Sequence, residues 1–228
     1  MTGPVRVVFV HGAWGSPGIW RWVLDELADL DVELVVADLP TMQRADATFA
    51  DDVEHVRGLA GDEQAVLCAH SYGGAVVTQA GAELPAVSHL VYVAAAMPDV
   101  GESMFDVVSR RPMGGAPLDF RDDGTIMVSE WFPDDGRYPP EGRERLLGFE
   151  PRPFALDGAV SALSAVAWAE VPSTYAVATR DTVIHPDTQR EMASRATRSV
   201  EIEGDHMPHV VLPAEVAALV RRAITSSD

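Results

Sequence analysis

A serine, an aspartate and a histidine, each placed where a strand is expected to end, carry the chemistry this sequence can do. Ser71 lies in Ala69-His70-Ser71-Tyr72-Gly73-Gly74, between the apolar run Ala65-Val66-Leu67-Cys68 and a small-residue helix from Ala75 to Leu84. A serine squeezed between a strand end and a helix start forms a nucleophile elbow, whose sharp turn pushes the hydroxyl into the open. Ala69 stands where the usual pattern has glycine. The plainer reading of this segment alone is a turn whose serine caps a helix. Asp181 follows the expected strand Ser173–Ala178, and His206 follows the expected strand Val200–Ile202. Ser71, Asp181 and His206 thus arrive in the order nucleophile, acid, base. Serine is a poor nucleophile until a base takes its proton, and an imidazole can do so near neutral pH. Asp181 would accept the other ring N–H, fixing the tautomer and stabilising the imidazolium. The expected oxyanion donors are the backbone N–H groups of Tyr72, at the helix start, and Ala13, after His11-Gly12.

The elements that must position these residues alternate strand and helix. Val5–Val10, Val32–Ala37, Ala65–Cys68, Val87–Ala95, Ser173–Ala178 and Val200–Ile202 read as strands, and the first, apolar on both faces, reads as an interior strand of a parallel sheet. Helices are expected after Ser16-Pro17, from Thr48, after the elbow, from His185-Pro186 and from Pro213. This pattern predicts an α/β fold: a six-stranded, mostly parallel sheet with helices on both faces. The expected strand order is second, first, third, fourth, fifth, sixth. A texture rich in Pro and Gly runs from Met97 to about Glu170. It is expected to be a small inserted cap, because a structureless loop of that length is improbable. The expected division is therefore a core of 1–96 and 171–228 with a cap subdomain at 97–170. Within the cap, Arg121–Thr125 reads as a hairpin turn between Leu118–Phe120 and Ile126–Val128. Short helices are expected around Glu102–Arg110, Glu141–Leu147 and Asp157–Trp168. The expected substrate-binding side chains are Trp14, Met104, Phe105, Trp131, Phe132 and Met207.

Composition narrows the function classes. Seventeen basic against 35 acidic residues give a formal charge of −18 in a chain of 228 residues, which argues against a nucleic-acid backbone or an anionic membrane as partner. The single cysteine, Cys68, excludes an internal disulfide and a cysteine-based zinc cluster. His206 and His209 form a His-x-x-His pair, but no carboxylate or thiol cluster supports a metal there. No metal or organic cofactor is expected. No stretch approaches the ~20 apolar residues of a membrane helix, and the N-terminal apolar run is short for a signal peptide. A cytoplasmic location is the expectation. Asp99, after the fourth strand, is the rival to Asp181 as acid. His11 is expected to bond within its own turn, His70 to pack or hydrogen-bond, and His209 to lie behind the site or at the surface.

Several segments together resemble one branch of the α/β-hydrolases. They are His11-Gly12-Ala13-Trp14, Trp20-Arg21-Trp22, His70-Ser71-Tyr72-Gly73-Gly74, Pro172-Ser173-Thr174-Tyr175, Asp181 to Pro186, and Gly204-Asp205-His206-Met207-Pro208. The cap entrance, Ala96 to Ser103, is similar too. That branch holds plant methyl-ester esterases of the methyl salicylate and methyl jasmonate type, hydroxynitrile lyases and small bacterial carboxylesterases. The resemblance covers nearly the whole chain and is weakest from about Gly114 to Leu163. It implies a Ser71-His206-Asp181 triad with Ala13 and Tyr72 as oxyanion donors. The lyases of the branch carry Thr after the first His and Lys after the catalytic His, where this chain has Gly12 and Met207. Without that cation for a departing cyanide, ester hydrolysis is the expected reaction, on a small and fairly apolar carboxylic ester. A lyase, cyclase or lactone-forming enzyme on the same scaffold, and a slowly turning receptor, stay open. A homodimer is left open as well.

Overall fold

The computed structural model describes residues 5–112, 117–129 and 136–225. In chain order, the first half holds β1 (Arg6–Val10), α1 (Arg21–Glu26), β2 (Glu33–Val36), α2 (Phe49–Ala60), β3 (Ala65–His70), α3 (Gly73–Ala80) and β4 (Val87–Val93). The inserted segment holds α4 (Met104–Ser109), β5 (Leu118–Phe120), β6 (Thr125–Val128), α5 (Pro140–Leu147), β7 (Phe154–Ala155) and α6 (Leu156–Val160). The chain then returns through β8 (Ser173–Ala178), α7 (Pro186–Ala193), β9 (Arg198–Ile202), α8 (Pro208–Val211) and α9 (Pro213–Thr225).

The main sheet has six strands in the order β2-β1-β3-β4-β8-β9, and every pairing is parallel. Strand residues alternate between the two faces, and the sequence makes both faces apolar. Val8 and Val10 of β1 join one hydrophobic cluster while Val7 and Phe9 join the other. The first cluster is closed by α2, α3 and α7, through residues such as Val53, Val76 and Met192. The second is closed by α1, α8 and α9, through Val23, Val210 and Val220. The inner strands β1 and β3 are largely apolar, as strands covered on both faces must be, whereas the edge strands β2 and β9 carry exposed Glu33, Arg198 and Glu201.

Local signals set several boundaries. Thr48 accepts from the Asp51 N–H and Asp51 accepts from the Thr48 N–H, a capping box that starts α2. Ser103 and Asp106 build the same device at α4. Ser16-Pro17 opens a single 3-10 turn, Pro17–Trp20, that runs into α1, and the Ser16 side chain makes no cap bond. The hairpin β5–β6 forms with Gly124 in the left-handed region at φ 83°, where an L side chain would be strained. β7 adds a third antiparallel strand through Ile126 and Phe154.

The expected helix over Asp157–Trp168 is shorter. It is α6 alone, followed after a break by a 3-10 turn at Ala167–Ala169. The break has a cause: the Leu163 N–H donates to Glu102 O and the Gly101 N–H donates to Leu163 O, each at 2.9 Å or less. Those bonds pin the chain to the cap entrance and deny it helical partners. Among the described residues, the larger buried apolar side chains of the cap join the two clusters of the main fold. Met104, Ile126, Phe154 and Leu163 share one cluster with Ala13 and Tyr72 of the main fold.

Strand order reverses between β1 and β3, with β2 on the far side of β1. Ligands of open parallel sheets bind in such a crevice, beyond the carboxyl ends of the strands. Register places Val10 beside Ala69, so the loops that follow, His11-Gly12 and His70-Ser71, leave the sheet side by side.

Candidate active site

β3 is buried along its whole length and delivers Ser71 at a sharp bend. Ser71 has φ 51°, a left-handed conformation uncommon outside glycine and one that costs on the order of 1–3 kcal/mol. Two hydrogen bonds hold it there. The N–H groups of Ala96 and Gly74 both donate to the Ser71 carbonyl, at 2.9 and 3.0 Å. Gly74 also lets α3 press against the chain after β4, since a Cβ there would lie 2.2 Å from Ala96 O.

Around that bend three distant side chains meet. His206 Nε2 lies 3.0 Å from Ser71 Oγ, and His206 Nδ1 lies 2.7 Å from Asp181 Oδ2. Asp181 also accepts the Val183 and Ile184 N–H groups on Oδ1 and the Gln189 amide on Oδ2. Both its oxygens are therefore acceptors. Nδ1 of His206 carries the proton, and the lone pair on Nε2 faces the serine hydroxyl. All three residues are buried, with Ser71 5% and His206 7% exposed. Asp99 is elsewhere: half-exposed, its carboxylate accepts the Val100 N–H and lies 3.9 Å from Arg195.

The loop after β1 runs against the serine. A Cβ on Gly12 would sit 2.8 Å from the Ser71 Cβ, so only glycine permits this approach. Among the described residues, no protein acceptor takes the backbone N–H of Ala13 or of Tyr72. Both residues are buried. The Tyr72 ring is engaged elsewhere. Its hydroxyl donates to Asp52 Oδ2 at 2.7 Å, and Thr41 donates to the same carboxylate from its N–H and its hydroxyl. Burial raises the Asp52 pKa, opposed by these hydrogen bonds.

The other histidines have distinct places. His70 Nε2–H donates to the His206 carbonyl at 2.8 Å, and its ring packs on His206 and His209. His209 is fully buried against Trp20, not at the surface, and neither of its ring nitrogens has a hydrogen-bond partner among the described residues. Burial, and then the charge of His206, pushes His209 down to about 3. Burial and the two neighbouring histidines likewise hold His70 well below the imidazole range. Both rings are therefore held in the neutral form near neutral pH. His11 bonds within its own turn, through Nδ1 to Gly12 O at 2.9 Å.

Of the expected substrate-binding residues, Trp14 is half-buried and donates its indole N–H to Ile126 O, with its ring edge-on to Phe154. Met104 and Met207 are buried, though in different clusters. Phe105 is 47% exposed on the outer face of α4, which removes it from the interior. Trp131 and Phe132 lie outside the described residues. Sequence reasoning passed over Gln189, Asp52 and Arg152. Gln189 and Asp52 carried one signal, a polar residue in helical register with an apolar inner face. Among the described residues, no three His, Cys, Asp or Glu side chains gather as a metal site would need, and no helix is long and apolar enough to cross a membrane.

A two-sided parallel sheet with a serine elbow and a cap after the fourth strand defines an α/β-hydrolase fold. Residues 7–219 match the Alpha/beta hydrolase family, and the chain belongs to that family. A curated relative, Alpha/beta hydrolase nvfD of Aspergillus novofumigatus, is 25% identical over 95% of each chain. Among solved structures, the pyrethroid hydrolase PytH superposes with a TM-score of 0.79 at 19% identity, over 99% of each chain. The methylesterase MES16 from Arabidopsis superposes with a TM-score of 0.72 at 18% identity, over 97% of this chain and 99% of its own.

Proposed function

We propose that the protein is a serine hydrolase that cleaves a small, fairly apolar carboxylic ester through an acyl-Ser71 intermediate. One observation carries this reading: the Ser71–His206–Asp181 hydrogen-bond chain, at 3.0 and 2.7 Å, together with the Ala13 and Tyr72 N–H groups, which no acceptor takes among the described residues. Ser71 Oγ attacks the ester carbonyl carbon while its proton passes to His206 Nε2. The carbonyl oxygen takes the negative charge and accepts from the Ala13 and Tyr72 N–H groups. Collapse expels the alcohol, which takes the proton from His206. A water then gives a proton to His206, attacks the acyl carbon, and the acid leaves as Ser71 regains its proton. Asp181 stabilises the imidazolium in both halves. No step needs a metal or an organic cofactor.

Support for an apolar ester comes from the apolar side chains packed around the elbow, Trp14 and Phe154 among them. Two structural neighbours, a pyrethroid hydrolase and a methylesterase, also favour an ester substrate by what their names say they act on. The test is Ser71→Ala against p-nitrophenyl acetate, then esters graded in acyl and alcohol size. Turnover is expected to drop on the order of 10⁶-fold with the fold intact by circular dichroism. A variant that keeps its turnover would overturn the assignment.

A further inference from the structure

The inserted segment reaches into the catalytic machinery through Arg152, which lies between α5 and β7. Its contacts converge on the loop after β1. The Arg152 N–H donates to Trp14 O at 2.9 Å and its Nε–H donates to Gly15 O at 2.7 Å. Nη1 pairs with Asp38 Oδ1 at 2.8 Å, and Nη2 lies 3.2 Å from His11 Nε2.

The contact to His11 matters because of what the other ring nitrogen does. His11 Nδ1 lies 2.9 Å from Gly12 O, and a carbonyl can only accept, so the proton is on Nδ1. Nε2 then presents a lone pair, which takes the Leu39 N–H at 3.3 Å and the guanidinium N–H of Arg152. Gly12 O is held a second time by the Gly15 N–H at 3.2 Å. The Gly12 carbonyl and the Ala13 N–H belong to one planar trans peptide and point in opposite directions. Whatever fixes Gly12 O therefore aims the Ala13 N–H.

We propose that Arg152 is the positioning residue of the oxyanion hole: it sets the tautomer and place of His11, and clamps Trp14 and Gly15, so that the Gly12–Ala13 peptide directs its N–H toward the substrate oxygen. This rests on the reading of Ser71 as nucleophile and Ala13 as donor. It gives the cap a second job beyond shaping the pocket, because the hole is complete only when the cap is docked. A guanidinium suits the task, since its planar fork serves a carbonyl, a carboxylate and an imidazole at once, where a lysine offers one point charge.

The experiment compares wild type, Ser71→Ala, Arg152→Ala and Arg152→Lys. Two probes are used: p-nitrophenyl acetate and an alkyl trifluoromethyl ketone. Ser71 Oγ adds to the ketone carbon, its proton moves to His206, and the carbonyl electron pair becomes a tetrahedral oxyanion. Ketone affinity therefore reads the hole directly. Rates of wild type and the Arg152 variants are counted per serine titrated with a fluorophosphonate, so loss of folded protein does not register, and the Ser71→Ala rate is counted per protein folded by circular dichroism. For Arg152→Ala, kcat is expected to fall about 10²-fold while KM stays within about twofold. Ketone affinity should weaken in step with kcat/KM, as for any transition-state mimic. Arg152→Lys should fall between the two, and carries the test alone if the alanine variant does not fold. Wild-type kcat and ketone affinity in folded Arg152 variants, with Ser71→Ala inactive, would overturn this inference and leave the hydrolase reading standing. Turnover that survives Ser71→Ala would remove both.

Discussion

At the scale of the residue, the proposed acid, Asp181, is held from several sides at once. Asp181 receives four hydrogen bonds, two from backbone and two from side chains. Gln189 matters most among the residues behind it, because it also donates to Ile184 O and accepts the Ala178 N–H. Gln189→Leu should lower kcat on p-nitrophenyl acetate on the order of 10-fold, well short of the roughly 10⁴-fold that follows when the acid itself fails. It should also cost about 1–3 kcal/mol in urea unfolding, because buried backbone groups lose their partners. An unchanged kcat would mean that the Val183 and Ile184 N–H groups suffice to orient the carboxylate. Ser71, Asp181 and His206 were legible in the sequence because each sits in the turn that ends a strand. Gln189 hid on an inner helix face, and Arg152 hid in a proline-flanked stretch. Arg152 is 137 and 141 positions from its partners Gly15 and His11, and no local pattern encodes such a pairing.

At the scale of the element, two helices put the same residue type to opposite uses. Gly58 lies exposed within α2, and a Cβ there would meet nothing within 4 Å. Gly74 lies in the first turn of α3, where a Cβ would meet Ala96 O at 2.2 Å. Gly58→Ala should therefore stabilise the protein by about 0.4–1 kcal/mol, chiefly through the unfolded chain. Gly74→Ala should destabilise it by about 1–3 kcal/mol as α3 and the elbow are pushed apart, with activity falling alongside. Urea midpoints that move in the same direction for both would contradict this account of the elbow. Strands and core helices were readable because their apolar periodicity is set by burial on both faces of one sheet. The cap was harder to read. Its helices are short, and the stretch after α6 is held by the Gly101 and Glu102 backbone rather than by its own sequence.

At the scale of the whole molecule, the buried histidines link stability to pH. His209 has an ordinary imidazole value of 6.5 and a folded value of about 3. Between those values the unfolded chain binds a proton that the folded chain refuses, so stability falls as pH falls below about 6.5. His70 acts in the same sense. Asp52 and Asp205, raised by burial, act in the opposite sense, because their folded carboxyls take protons more readily. Comparing one substitution with wild type isolates the share of one imidazole. Between pH 7.5 and 5, wild type should lose roughly 2 kcal/mol more than His209→Leu by urea titration. Equal losses would mean that His209 takes up its proton without unfolding.

Cys68 stands on β3 just before the bend that carries Ser71. It is fully buried, and burial pushes its thiol upward, away from reactivity. One strand therefore leads to two nucleophilic side chains whose reactions would report on different states of the chain. On the proposed mechanism a serine-directed reagent is expected to react with the folded protein, because His206 stands ready to take the Ser71 proton. A thiol reagent waits until the central strand leaves the sheet, so its rate measures the lifetime of the fold itself.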